Sequence, residues 1–216
     1  MVKPPVVERA RLPELRAGDI GELVPRAVVE AVRFQGASFD GLDLTDAVLT
    51  ECELDRVSIV DSALRGLRIA ESIVTGLNAP VMPAARSRWR DVWMTGSRVG
   101  SAELFESELS GVRIEGSKLG YVNLRGATLS NVIFVDCTID ELDLGGVTAT
   151  RVAITGCEIG TLDVTRATLR DADLRSSRLS AVTGLDGLRG ATIDELQLAE
   201  LAPHLAAAAG LVVEPE

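Results

Sequence analysis

Residues 122–129 read Val122-Asn123-Leu124-Arg125-Gly126-Ala127-Thr128-Leu129, in which the same five-residue pattern begins twice around an apolar centre. From Phe34 to Leu179 every fifth residue is apolar, which makes thirty centres without an exception. A period of five fits neither the roughly 3.6 residues of a helical turn nor the simple alternation of a flat strand. Each unit therefore directs two side chains inward and three outward, and such a chain coils around a core.

The second inward position lies two residues before each centre, and its series from Val32 continues one step past the last centre to Val182; it holds only Val, Ser, Ala, Leu, Cys or Met. The second position after the centre is rich in glycine, which tolerates a positive φ where the chain turns a corner. Glycine stands there in ten of the thirty units: Gly36, Gly41, Gly66, Gly76, Gly96, Gly111, Gly116, Gly126, Gly146 and Gly156. These glycines predict corners rather than a phosphate-binding loop.

Three stretches, residues 37–44, 122–129 and 167–174, resemble the pentapeptide-repeat family, whose units read roughly A-(D/N)-L-x-x. The resemblance covers residues 27–193. It implies an all-β fold, a right-handed quadrilateral β-solenoid in which four units form one square coil, so that residues twenty apart stack. Thirty units then give about 7–8 coils, each contacting only its neighbours.

The two ends depart from the repeat. Residues 1–26 are irregular and are predicted to form an N-terminal cap over the first coil. After Leu179 the phase slips by one residue, and Asp194 is placed to cap a helix that Gly210 ends. Residues 194–216 are therefore predicted to be a C-terminal α-helical cap and tail, following a solenoid over 27–193.

Residues 78–89 keep the five-residue count but lose large centres and gain two prolines. They form either a distorted coil, which we favour, or a bulging loop whose length preserves the phase. Trp89 falls at a centre, whereas Trp93 falls at an outward position beside Arg113 of the next coil. An exposed tryptophan indicates a partner site, but shielding by a neighbouring loop explains Trp93 equally well.

The 216 residues suit one domain with a continuous core. The first residues lack the apolar run of a signal peptide, and no stretch is long and apolar enough to span a membrane. We therefore expect a cytoplasmic protein that does not enter the membrane.

The three cysteines, Cys52, Cys137 and Cys157, occupy second inward positions, where they predict small buried groups. Cys137 and Cys157 are twenty residues apart and should stack at about 4.8 Å, within reach of a disulfide. Parallel Cβ directions suit the disulfide dihedral poorly, so we predict free thiols. Three cysteines at different corners and one histidine give no metal-ligand cluster, so no metal or other cofactor is expected.

The residues offer little for catalysis. His204 is the only histidine, and it lies outside the repeats, far along the chain from any cysteine. The paired carboxylates fall at outward positions of a rod with a filled interior, where no pocket would raise a pKa. We predict that the protein is not an enzyme and has no catalytic residues.

The chain is acidic, with 22 basic and 32 acidic residues, but half of the excess lies outside residues 31–185. Counting by twenty places the most acidic outward positions near one corner, interrupted by arginines. This candidate partner-binding stripe, which we call the acidic stripe, contains Asp43, Asp61, Glu103, Asp140, Glu141, Asp143 and Asp163. No basic stripe exists for direct nucleic-acid binding.

The quinolone-resistance members of the family are dimeric rods that mimic duplex DNA and bind DNA gyrase, and their C-terminal helical segments join two rods. The resemblance thus implies a non-enzymatic protein-interaction rod, binding gyrase or a related type II topoisomerase as a DNA mimic. The alternative is a structural or scaffold protein with an unrelated protein partner. For the homodimer contact the candidate residues are Leu198, Leu201, Leu205, Leu211 and Val213.

Overall fold

The computed structural model describes residues 2–214 as a solenoid of parallel strands that ends in one helix. Between residues 28 and 183 paired strand residues are twenty apart, as in Val48, Arg68 and Arg88 on successive rungs. The solenoid has about nine turns. The repeats alone predict about 7–8 coils, and the difference arises because short strands outside the repeats add a rung at each end.

The strands are short in the first coils and longer after residue 68. The first coils contain β1 (Arg16–Ala17), β2 (Val28–Glu30), β3 (Val32–Gln35), β4 (Val48–Thr50) and β5 (Glu53–Asp55). The long strands, each bent around a corner, are β6 (Arg68–Thr75), β8 (Arg88–Thr95), β10 (Glu108–Glu115), β12 (Thr128–Val135) and β14 (Thr148–Thr155). With β16 (Thr168–Asp173) and β18 (Ala191–Thr192) these strands make one twelve-stranded sheet over two adjacent faces.

The other two faces carry a six-stranded sheet. Its strands are β7 (Asn78–Met82), β9 (Arg98–Glu103), β11 (Lys118–Asn123), β13 (Thr138–Asp143), β15 (Glu158–Asp163) and β17 (Arg178–Thr183). Two 3-10 turns, Ile20–Glu22 and Leu185–Leu188, and the helix α1 (Glu195–Ala208) lie outside the sheets.

The glycine prediction is confirmed, because all ten glycines at the predicted corner position have a positive φ, between 56° and 72°. The same position also takes charged residues in this conformation, such as Asp136 with a φ of 50° and Asp171 with 53°. The corner therefore requires a left-handed backbone but not glycine, and it leaves these side chains free to project from the edge of the rod.

The interior is filled by the predicted centres and second positions, and large side chains such as Phe34, Phe39 and Phe134 are fully buried. Several side chains at the second inward position accept a hydrogen bond from the backbone N–H of the residue twenty earlier: Ser72, Ser97, Ser107, Ser117, Cys157 and Ser177. Ser107 Oγ accepts from Ser87 N at 2.9 Å, and Cys157 Sγ accepts from Cys137 N at 3.4 Å. The side chain of one coil thus completes the backbone hydrogen bonding of the coil before it.

All three cysteines are free thiols and buried, as predicted. Burial raises the pKa of the Cys52 thiol, which keeps it in the unreactive protonated form.

The distorted coil is the correct interpretation of residues 78–89. Asn78–Met82 forms β7, which pairs with β9 in the regular register, and Trp89 is buried at its centre. Trp89 does not fill the space completely: a cavity of about 30 Å³ remains among Leu77, Met82, Trp89 and neighbouring core residues.

The N-terminal residues do more than cover the first coil. β1 pairs with β3 at the start of the rod, as a cap would. Residues before it reach much further, since Lys3 N donates to Asp171 Oδ1 and Val6 N donates to Asn131 Oδ1. Residues 2–15, which we call the strap, therefore lie along the side of the rod.

At the other end the phase slip has a structural cause. The 3-10 turn Leu185–Leu188 shortens the last step, so that Asp173 pairs with Thr192, nineteen residues on. Asp194 then caps α1 by accepting from Gln197 N at 2.9 Å, and Gln197 Oε1 accepts from Asp194 N, which completes a capping box.

Gln197 also terminates the solenoid. Its Nε2 donates to the carbonyl oxygens of Leu174 and Ser177, each at 2.6 Å, and its side chain is buried. The last coil has no further coil to satisfy these carbonyls, so an amide side chain takes the place of the next rung.

We expect the isosteric substitution Gln197→Glu to destabilise the protein by at least about 2 kcal/mol, because a carboxylate cannot donate to two buried carbonyls. The measurement is the urea midpoint at neutral pH. The reverse swap on the same helix, Glu200→Gln at an exposed position, should change stability by less than about 0.5 kcal/mol. Equal midpoints for Gln197→Glu and the unmodified protein would contradict this role.

The helix cap also predicts a pH dependence. The backbone N–H groups of Gln197 and Ser176 hold the pKa of Asp194 below its ordinary value. Because the folded pKa is the lower one, the stabilisation is complete above about pH 4 and is lost as the pH falls through the folded pKa. The difference in urea midpoint between the unmodified protein and Asp194→Asn should therefore shrink from neutral pH to about pH 3. A difference that stays constant over that range would contradict it.

Candidate interaction surfaces

The structure places the acidic stripe on the face and corner that the twenty-residue count predicts. Glu103, Asp143 and Asp163 lie in one column, separated by Asn123, and Asp43 occupies the same position nearer the N-terminus. The column is in register, but most of its side chains already form hydrogen bonds or ion pairs within the chain.

The aspartates of this column hold the corner that follows them. Asp143 Oδ1 accepts from Gly145 N, and Asp163 Oδ1 accepts from Thr165 N, each at 2.8 Å. Asp43 does the same with Thr45 N at 2.9 Å, and hydrogen bonds from Thr45 lower the pKa of Asp43. An aspartate stabilises a tight turn when its carboxylate accepts a hydrogen bond from the N–H of the second residue after it. These carboxylates therefore have a structural role.

Arg125 forms ion pairs with two of the aspartates of this column. Its guanidinium contacts Asp143 Oδ2 at 2.8 Å and Asp163 Oδ2 at 3.0 Å, and Tyr121 Oη donates to Asp143 Oδ2 at 3.3 Å. The Asp143 side chain is only 6% exposed. Hydrogen bonding to Asp143 raises the pKa of Arg125, as expected for a guanidinium held between two carboxylates. Asp143 therefore presents little charge to a partner.

Glu103 is also engaged, since it accepts from Ser101 Oγ at 3.0 Å and from Asn123 Nδ2 at 2.9 Å. Asp61, Asp140 and Glu141 are exposed, and they are the stripe members that can meet a partner without losing an internal contact.

Elsewhere opposite charges stack from coil to coil. Arg88 Nε lies 2.8 Å from Glu108, and Arg86 Nε lies 2.6 Å from Glu106, each pair twenty residues apart. The column of Arg88 and Glu108 continues as three stacked threonines: Thr128, Thr148 and Thr168. Arg68 stacks on Arg88 in the same column, so the column holds two arginines, one glutamate and three threonines and is not a field of one sign.

The C-terminal end presents apolar side chains. Of the five candidate dimer residues, Leu198, Leu205, Leu211 and Val213 are exposed, whereas Leu201 is buried against the last coil. Leu201 therefore anchors the cap and is not available to a second copy. Val212 in the tail, between Leu211 and Val213, is 85% exposed as well. Sequence reasoning missed Leu196, which is 70% exposed, and the apolar residues on more than one side of α1 would have indicated it.

His204 lies exposed on α1. Within residues 2–214 no group of three or more potential ligands is arranged to hold a metal ion. The helix of the described chain is too short and too polar to cross a membrane.

Comparisons with known proteins agree with the coil geometry. The family model for pentapeptide repeats matches residues 30–66 and 107–146 with eight copies. No curated protein matches the chain.

The chain is similar to three solved structures. A trypsin-treated variant of QnrB1, a plasmid-mediated fluoroquinolone resistance protein, shares 15% identity over 92% of this chain and 95% of its own, with a TM-score of 0.48. Full-length QnrB1 shares 15% identity over 82% of this chain and 99% of its own, with a TM-score of 0.28. HetL, a pentapeptide-repeat protein involved in heterocyst differentiation regulation in the cyanobacterium Nostoc sp. strain PCC 7120, shares 18% identity over 73% and 85%, with a TM-score of 0.25.

Identities and TM-scores this low say nothing about function. The matched repeats and the parallel coils that stack residues twenty apart show that this chain contains pentapeptide repeats and has the pentapeptide-repeat fold.

Proposed function

We propose that the protein is a non-enzymatic protein-interaction rod that forms a homodimer through its C-terminal segment. The observation that carries this proposal is the group of exposed apolar residues at one end of the rod, on α1 and the tail: Leu196, Leu198, Leu205, Leu211, Val212 and Val213. Exposed apolar residues grouped in one segment at the end of a rod are typical of an interface.

As the partner of the dimer we propose a type II topoisomerase, DNA gyrase first, which the rod would bind as a DNA mimic. The net charge of −10 and the exposed carboxylates of Asp61, Asp140 and Glu141 support it. A cytoplasmic location belongs to the same proposal. No direct nucleic-acid contact, cofactor or metal is part of it.

A scaffold function with another protein partner is the second candidate. It is favoured by the internal use of charge, because Arg125 forms ion pairs with two stripe carboxylates and two Arg–Glu pairs lie elsewhere on the rod. A duplex mimic needs unpaired like charge along its length, and a scaffold does not.

The dimer proposal predicts a particle of twice the chain mass by light scattering at micromolar concentration. The double variant Leu198→Glu/Leu211→Glu should be monomeric and folded, because it puts two charges into the apolar contact and removes no buried side chain. Val28→Glu, at an exposed valine near the opposite end, is the control and should remain dimeric. A monomeric mass for the unmodified protein would rule the dimer out.

The topoisomerase proposal predicts inhibition of gyrase supercoiling by the purified protein at micromolar concentration. Asp140→Lys/Glu141→Lys should weaken inhibition by roughly tenfold or more, because it reverses exposed charge that a mimic presents. Asp136→Lys, at an exposed acid of another corner, is the control. Reversal of Asp143 or Asp163 is unsuitable, since it would break the Arg125 contacts. Inertness well above micromolar concentration would leave the scaffold function.

A further inference from the structure

The strap lies along one edge of the rod in extended conformation. Lys3 N donates to Asp171 Oδ1 at 3.1 Å, and Val6 N donates to Asn131 Oδ1 at 3.2 Å. The Arg9 guanidinium lies 5.8 Å from the centre of the Trp93 ring. The three strap residues are three positions apart. Their partners on the rod are about forty residues apart, which corresponds to two coils.

This spacing has a simple geometric origin. Three residues of extended chain span about 10 Å, and two coils of stacked parallel strands span about 9.6 Å. Every third residue of an extended peptide therefore meets the same corner position on every second coil. The match does not depend on the strap's side chains, so any extended peptide on this edge would have the same register.

The edge supplies acceptors at that interval. Asp91, Asn131 and Asp171 occupy the same corner forty residues apart, each with a φ between 53° and 55°, so their side chains project from the edge. Arg151 Nε donates to Asn131 Oδ1 at 2.7 Å, which fixes the amide with its oxygen toward the strap.

Beside these corners runs an outward-facing apolar column. Ile73, Trp93 and Ile133 lie in register with Arg113 between the last two, and Ala153 continues the column. These residues point away from the core, yet Ala153 is buried and the others are half-buried. On the strap, residues two or three positions apart are half-buried in the same way: Val2, Pro5, Val7, Ala10, Leu12 and Leu15.

The cation site is part of the rod and does not depend on the strap. Arg113 holds its guanidinium 4.8 Å from the Trp93 ring centre, and its Nε donates to Glu115 at 2.7 Å. Trp93 thus presents an ordered aromatic surface to which Arg9 adds a second cation. This contact explains the outward tryptophan by shielding, the second of the two alternatives that the sequence left open.

We propose that the edge formed by Trp93, Asn131 and Asp171 is a binding surface for an extended peptide with a cationic side chain, which the strap occupies in cis. The partner that fits has backbone N–H donors three residues apart, small apolar residues between them and an arginine three residues after the second donor. The strap then competes with a partner peptide of this chemistry, and a partner binds only if its affinity is high enough to displace the strap.

The test uses the full-length protein and a fluorescently labelled synthetic peptide with the sequence of residues 2–12. Val6→Pro removes one donor N–H while keeping an extended backbone, and Arg9→Glu removes the cation over Trp93. The double variant Val6→Pro/Arg9→Glu should bind the peptide at least about tenfold more tightly than the unmodified protein, because the cis competitor is released. Val6→Ala, which keeps the N–H, is the matched control and should bind like the unmodified protein.

The surface itself is tested in the same background. Adding Asn131→Ala/Asp171→Ala should abolish binding, whereas adding Asp136→Ala, an aspartate with a φ of 50° at another corner, should not. Far-UV circular dichroism and the urea midpoint report whether each variant is folded. The proposal is overturned by equal peptide binding to the double variant and the unmodified protein, or by no saturable binding up to about 1 mM peptide. Binding that survives Asn131→Ala/Asp171→Ala overturns it as well.

Discussion

The backbone hydrogen bonds between successive coils, in a register of twenty residues, are the constraint on which the rest of the molecule depends. Thr148 N donates to Ala127 O, and Thr128 N donates to Ser107 O, so each coil is satisfied by the next. At the second inward position a serine or cysteine side chain accepts the remaining N–H. Gln197 supplies the donors where no further coil follows. The inward side chains, the corners and the helix cap all serve this one ladder.

The same register decides what charge can do on the surface. Residues twenty apart lie about 4.8 Å from each other, a distance at which like charges repel strongly. This repulsion is avoided where Arg88 stacks on Glu108, and it is reduced where Arg125 lies between Asp143 and Asp163. An acidic composition therefore does not become an acidic face. Within residues 2–214, the apolar C-terminal end and the exposed carboxylates around Asp140 are two of the surfaces without a partner inside the chain.

The period of five was sufficient to predict the coil, the corner glycines and the burial of the cysteines, because each of these follows from the spacing of apolar and flexible residues alone. The helix start was predicted from the capping side chain of Asp194. The period could not assign roles to the outward residues. An aspartate that stabilises a turn, as Asp143 does, occupies the same position in the repeat as one that contacts a partner. Leu201 was ambiguous for the same reason. The strap was missed because its register comes from the match between extended chain and coil spacing, and its own sequence carries no repeat.

The central claim is that the neighbours of every outward residue are those twenty positions away, and paired cysteines test it most directly. Thr128→Cys with Thr148→Cys puts two thiols on adjacent rungs of one face, whereas Thr128→Cys with Thr138→Cys puts them on opposite faces. The native cysteines are buried, so spin labels will attach to the introduced thiols. Strong dipolar broadening for the 128–148 pair and none for the 128–138 pair is the expected result. The reverse order, or equal broadening for both pairs, would contradict the register and the surfaces derived from it.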